Sequence, residues 1–183
     1  MSKRIAVIGA GISGAFFSHL MRDRVDITVF DKARGAGGRL ASHRRGPYCF
    51  DKGSQDIFIE HQTILDFIKP ALDAGVLALW QPRFMRVKNG ATTWTDLSQT
   101  NVYSGRGPLN GWVKWLLEKT PVYYGQYVTR LERCGTQWML CMDDAQKFGP
   151  FDAVIMTQPT YQVINLVPQF QTLLDDVEYS RCF

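Results

Sequence analysis

Two glycine-bearing segments, each set directly after a short apolar run, constrain this chain more than any other feature. The first is Gly9-Ala10-Gly11-Ile12-Ser13-Gly14, preceded by Ile5-Ala6-Val7-Ile8. The second is Asp31-Lys32-Ala33-Arg34-Gly35-Ala36-Gly37-Gly38-Arg39, preceded by Asp26-Ile27-Thr28-Val29-Phe30. A short, continuous apolar run such as Ile5 to Ile8 reads as a strand buried on both faces of a parallel sheet. A parallel pair cannot be closed by a hairpin, so a crossover helix is expected, from about Ser13 to Arg22.

The glycines of the first turn have separate tasks. Gly9 permits the tight turn, Gly11 lets backbone approach a pyrophosphate, and Gly14 lets helix and strand pack closely. The first-turn N–H groups of the helix have no intrahelical partner and lie at the positive end of its dipole, which suits an anion. Asp31 follows Gly9 by 22 residues, close to the ~20 expected of a carboxylate that accepts from ribose hydroxyls. Strand, turn, helix, strand and acid in this order predict a dinucleotide site. Its candidate binding residues are Gly9, Ala10, Gly11, Ile12, Ser13, Gly14, Asp31 and Lys32.

The run VFDKARGAGGRLAS, with Phe50-Asp51-Lys52-Gly53-Ser54-Gln55 after it, resembles the flavin-dependent amine oxidase superfamily and its renalase-like members. The resemblance implies FAD as cofactor, with Gly38 and Arg39 at the diphosphate and Ser54 and Gln55 beside the flavin. Glycine allows close backbone approach and a guanidinium fork matches phosphate oxygens, so the chemistry agrees. Tyr127-Val128-Thr129-Arg130-Leu131-Glu132 is similar to the family strand whose valine backbone holds the adenine. That makes Val128 a candidate contact, plain packing being the alternative. Val102 to Trp112 looks like the family's strand-to-helix entry, with Gly107-Pro108 in the reverse of the usual order. Lys52 and Asp56 stand where the family usually has His and Tyr. Lys52 could favour a reduced, anionic flavin, or be an exposed loop lysine.

The implied fold class is α/β, a Rossmann-like FAD/NAD(P)-binding fold with an inserted, incomplete antiparallel substrate domain. Residues 1–58 and 107–160 would form the FAD-binding part, and 59–106 and 161–183 the partial substrate domain. Family members run to roughly twice this length, so the resemblance covers their first half. The apolar ending Val177 to Phe183, without a turn or capping signal, suggests truncation.

Local patterns fill in the rest. His61 to Ala74 reads as a helix with Ile64, Leu65, Ile68 and Leu72 on one face, bent or restarted at Pro70. Gln81 to Lys88, Asn89-Gly90 and Ala91 to Leu97 read as a hairpin, because Asn-Gly accepts the positive φ values of a type I′ turn. Leu109, Trp112, Val113, Leu116 and Leu117 form one helical apolar face behind Pro108, which suits a first helical turn. Gln126 to Arg133 and Gln137 to Met142 suggest an antiparallel pair. Phe151 to Pro159 resembles the return strand that rejoins the sheet beside the first strand.

Composition excludes several classes. A chain with 45% hydrophobic and 21% charged residues fits a soluble globular protein. Its net charge of +4 comes with no nucleic-acid-binding motif, and an anionic cofactor accounts better for the loose cluster of Arg22, Arg24, Lys32, Arg34, Arg39, Arg44 and Arg45. No apolar run approaches the ~20 residues of a membrane span. The start resembles a secretory signal only superficially, because three glycines break it and no cleavage site follows, so a cytoplasmic address is expected. Cys49, Cys134, Cys141 and Cys182 form no CxxC pair and read as reduced thiols. His19, His43 and His61 lack metal-ligand spacing, so no metal is expected, and His19 reads as structural.

No Ser/His/Asp set or carboxylate pair competes for a catalytic role, so no catalytic side chain is singled out and the redox step would belong to the flavin. The leading expectation is an FAD-dependent oxidoreductase. It would pass hydride from a small-molecule substrate, a reduced nicotinamide isomer or an amine, to flavin and then to oxygen. An inactive FAD- or nucleotide-binding remnant is the second reading. An NAD(P)-dependent dehydrogenase is the third, and it leaves Gly37-Gly38-Arg39 unexplained.

Overall fold

The computed structural model describes residues 2–95, 101–173 and 177. The elements in chain order begin with β1 (Arg4–Ile8), α1 (Ile12–Met21), β2 (Asp26–Asp31), β3 (Ser42–Arg45), β4 (Tyr48–Asp51) and β5 (Ile57–Phe58). They continue through α2 (Gln62–Asp73), β6 (Leu77–Trp80), β7 (Phe84–Lys88), β8 (Ala91–Thr95), β9 (Val102–Gly105) and α3 (Asn110–Leu117). The last are β10 (Val122–Tyr124), β11 (Val128–Cys134), β12 (Gln137–Met142), β13 (Lys147–Phe151), β14 (Ala153–Met156) and α4 (Thr160–Val163). The chain forms two compact units, Met1–Gly38 with Leu116–Phe183, and Arg39–Trp115.

The first unit is built on a four-stranded parallel sheet in the order β10-β2-β1-β14. Ile5 to Ile8 are all buried, as a central strand of such a sheet demands. The return strand joins β1 as expected, Ile5 opposite Ala153 and Ile8 opposite Met156. It starts two residues later than the apolar pattern suggests, because Phe151 closes β13 of a second sheet, β11-β12-β13. The antiparallel β11–β12 pair agrees with the sequence reading, whereas β13 and the edge strand β10 have no counterpart in it.

One core cluster contains Ala6, Ile8 and Phe30 of the parallel sheet together with Val128, Leu140, Met142 and Phe151 of the antiparallel one. The fully buried Phe30 ring stacks on Tyr123 at 5.4 Å and meets Phe148 and Phe151 edge-on at 5.1 and 5.9 Å. Burying one such ring is worth about 2–3 kcal/mol. Val163, Leu166 and Val167 belong to the same cluster. Val163, Leu166 and Val167 therefore pack with the parallel sheet.

In the second unit, hairpin β3–β4 is joined to the start of α3 through Asp51. Its carboxylate accepts from Ser42 Oγ at 2.6 Å and from the Leu109 N–H at 3.2 Å. β5 pairs with β9, which also pairs with β6. These bonds hold residues 39–58 to the middle of the chain, within the compact unit Arg39–Trp115. α2 buries Ile68 and Ala71, with Ile64 exposed and Pro70 inside the helix. Hairpin β7–β8 turns at Asn89 and Gly90 with φ of 52° and 78°, as expected for Asn-Gly. Asp96 and Leu97 of its expected second strand, and the tail apart from Val177, lie outside the described residues. All five apolar residues of the Leu109–Leu117 face are buried.

Candidate dinucleotide site

The carboxyl ends of β1, β2 and β14 meet at the glycine turn. Gly9 adopts φ of +115° and donates its N–H to Phe30 O at 2.8 Å, which ties the turn to the end of β2. A Cβ on Gly9 would overlap Thr157 Oγ1, and one on Gly14 would overlap the Gly9 carbonyl oxygen. Gly9 is therefore required by the positive φ of the tight turn, and Gly14 by close approach of backbone. Gly11 is the N-cap of α1 in extended conformation and no side chain caps the helix. The amides of Ile12, Ser13 and Gly14 open the helix, where no preceding turn supplies a carbonyl.

The second glycine segment lies directly against the first. Gly37 N–H donates to Ala10 O at 2.9 Å, and Gly11 and Gly37 form an isolated parallel bridge. Gly38 has φ of +55°, and a Cβ there would stand 3.1 Å from the Gly11 Cα. Side chains at these positions would fill the space between the loops. The bare backbone cradle that remains, beside an uncapped helix N-terminus, fits a diphosphate.

Asp31 has a structural task in the glycine turn. One carboxylate oxygen accepts from the buried Ala10 N–H at 2.6 Å and the other from Ala33 N–H at 2.7 Å. Each oxygen keeps a further lone pair toward a ribose hydroxyl. Lys32 is exposed, and its Nζ lies 3.3 Å from Gln162 Oε1. Val128 is buried in the core, so its side chain packs and only its backbone remains for a ligand. The chain just before it is pinned beside Asp31, through Gln126 N–H to Asp31 O and Gly125 N–H to Ala33 O, both 2.9 Å.

Arg39, Ser54 and Gln55 belong to the second unit and are exposed. Gly53 abuts the Arg39 carbonyl so closely that a Cβ there would overlap it, which fixes the start of the Ser54-Gln55 loop against Arg39. Lys52 is exposed, with its N–H on Ala41 O at 3.0 Å.

Sequence reasoning passes over Thr157, Tyr124, Gln126 and Gln158. Thr157 Oγ1 donates to Ile8 O at 3.0 Å, which anchors the return strand to the glycine turn. A polar residue straight after an apolar strand is the available signal. Tyr124 is opposite Asp31 in the sheet, and its phenol is pushed above the usual value by burial first and then by the Asp31 charge. Gln126 and Gln158 each hold a buried Oε1 with no hydrogen-bond partner among the described residues. Both follow strand ends on the carboxyl side of the parallel sheet, and such acceptors call for a ligand or water. His19, by contrast, contacts Leu116 O and Arg22 through Nδ1, and burial lowers its pKa, in keeping with a structural role.

A parallel sheet with this crossover, a glycine turn at a helix N-terminus and an acid at the end of the second strand define a Rossmann-like dinucleotide-binding domain. The family description "NAD(P)-binding Rossmann-like domain" matches residues 7–70. Within that class, similarity to renalase supports a relationship to the FAD-dependent amine oxidase superfamily. It is 27% identical to renalase of Mus musculus, over 94% of this chain and 52% of that protein. It is 32% identical to coproporphyrinogen III oxidase of Staphylococcus aureus, over 36% of this chain and 14% of that protein. A solved structure from Exiguobacterium sp. 255-15, assigned as a protoporphyrinogen oxidase, superposes with a TM-score of 0.72 at 14% identity, over 96% of this chain and 64% of that one. The chain thus spans about half the length of the renalase it matches. Among the described residues, no helix is long and apolar enough to cross a membrane and no His, Cys, Asp or Glu group is arranged to hold a metal.

Proposed function

We propose that this chain is the FAD-binding portion of a cytoplasmic flavin-dependent oxidoreductase, related in chemistry to renalase and the amine oxidases. The observation that carries the reading is the direct apposition of Gly37-Gly38 and the Gly9–Gly14 turn at the start of α1. In this reading the amides of Gly11 to Gly14 and Gly38 hold the diphosphate and Asp31 the ribose. Val128 backbone meets the adenine, and Arg39, Ser54 and Gln55 complete the diphosphate and flavin ends. Residues 59–106 contribute to a substrate domain. FAD, when bound, supplies two-electron chemistry, and the protein's part is to bind and orient it and to exclude water. The substrate class is a small molecule, a reduced nicotinamide isomer or an amine, with oxygen as final acceptor.

The test is to incubate the purified chain with FAD, desalt it and record the flavin spectrum, then add a reduced nicotinamide isomer or an amine and follow peroxide. Retained flavin with peroxide formation is the expected result. Retained flavin without turnover favours a binding remnant. The NAD(P)-binding family match motivates a second arm, in which NADH binding without FAD retention overturns the flavin reading.

A further inference from the structure

Three side chains from separate elements converge beside Asp31. Lys32 leaves the end of β2, Tyr127 immediately precedes β11, and Gln162 lies in α4 after β14. Lys32 Nζ is 5.6 Å from the Tyr127 ring centroid and 3.3 Å from Gln162 Oε1, a partner 130 residues away in sequence. All three stand at the carboxyl end of the parallel sheet, where open α/β sheets take their ligands. The backbone around Tyr127 is held on both sides, by Gln126 N–H on Asp31 O at 2.9 Å and Asp143 N–H on Tyr127 O at 3.1 Å. Tyr127 is 50% exposed and is not among the buried core residues. An aromatic ring fixed at its backbone, half exposed and with one lysine over a single face, is a platform for a flat group.

The acid after the second strand marks the ribose next to the base, so the base falls beside Asp31. We propose that Tyr127 is the surface on which the adenine stacks, and that the Lys32–Gln162 pair is a strap closing over its edge. The inference rests on the nucleotide-binding reading above and adds two residues, Tyr127 and Gln162, as specificity determinants for the base. Stacking of a base on an aromatic side chain gives at least about a fivefold affinity change on alanine substitution.

The experiment measures ADP and FAD binding by calorimetry to the wild type, Tyr127→Ala, Tyr127→Leu, Tyr127→Phe and Gln162→Ala, with a thermal melt of each ligand-free protein. Tyr127→Ala and Tyr127→Leu should weaken ADP and FAD by the same factor, about fivefold or more, while Tyr127→Phe keeps wild-type affinity. Gln162→Ala should weaken both ligands to a smaller extent. Melting temperatures should stay together, since the ring is outside the core. Wild-type binding with unchanged affinity in Tyr127→Ala and Tyr127→Leu overturns this inference alone. Failure of the wild type to bind either ligand overturns the nucleotide reading and the inference together.

Discussion

Replacing Asp31 by alanine should destabilise the ligand-free protein, not merely its complex. The carboxylate accepts from Ala10 N–H at 2.6 Å and from Ala33 N–H at 2.7 Å. Ala10 is fully buried, whereas Ala33 is exposed. After the substitution water can take over the Ala33 N–H, but the Ala10 N–H is left without a partner, at a cost of about 1–3 kcal/mol. Bonds to an ionised acceptor are stronger than neutral ones, which puts the expected loss near about 2–3 kcal/mol. For a protein of this size each kcal/mol moves the melting temperature by about 2–4 °C, so the shift should be roughly 5–10 °C. Asp31→Asn keeps one acceptor oxygen and should lose about half as much. Thermal melts of the ligand-free proteins by circular dichroism measure this directly. An Asp31→Ala protein that melts with the wild type, yet binds nucleotide more weakly, would refute the clamp and leave Asp31 as a ribose ligand only.

Gly14→Ala should abolish nucleotide binding and destabilise the fold by about 1–3 kcal/mol, because the new methyl overlaps the Gly9 carbonyl. Gly107→Ala, with nothing within 4 Å of the added carbon, is the matched control and should leave both properties unchanged. Asp152 accepts from Arg4 N–H at 2.8 Å and Gln137 Nε2 at 2.9 Å, and these bonds, the Arg4 bond first, lower its pKa below the ordinary 3.8. Its stabilisation is therefore complete above that value and disappears as pH falls through the lower folded value. The melting temperatures of wild type and Asp152→Asn should differ by a constant amount near neutrality and converge in acid. A gap that does not narrow as pH falls ever further below the ordinary 3.8 would assign the effect to something other than this titration.

Much of the first unit is legible in the amino-acid sequence, because its signals are local. Apolar runs report burial on both faces, glycine spacing reports close approach and positive φ, and Asn89-Gly90 in the second unit specifies its turn through its own backbone preferences. The elements that the sequence pattern leaves hidden have a common character. β10 is a three-residue edge strand whose Tyr123 and Tyr124 are both exposed, so no hydrophobic period announces it. β13 contains Gly149-Pro150, which reads as a break until Phe148 and Phe151 are seen against Phe30. The tie between residues 39–58 and the start of α3 includes Asp51 reaching Leu109 across 58 residues, and no local pattern encodes such a bond.

By itself, then, the order of residues determined that a strand, a glycine turn, a helix and an acid-ended strand would occur in succession, since each follows from neighbours a few positions apart. Only the tertiary structure decided that Gly37-Gly38 would back onto Ala10-Gly11, that the Asp31 carboxylate would hold the turn, and that Lys32, Tyr127 and Gln162 would meet. The physical reason is that these contacts are made at the shared carboxyl edge of a parallel sheet. Crossovers of tens of residues bring its strands together, and strand register, rather than sequence proximity, selects which side chains stand side by side.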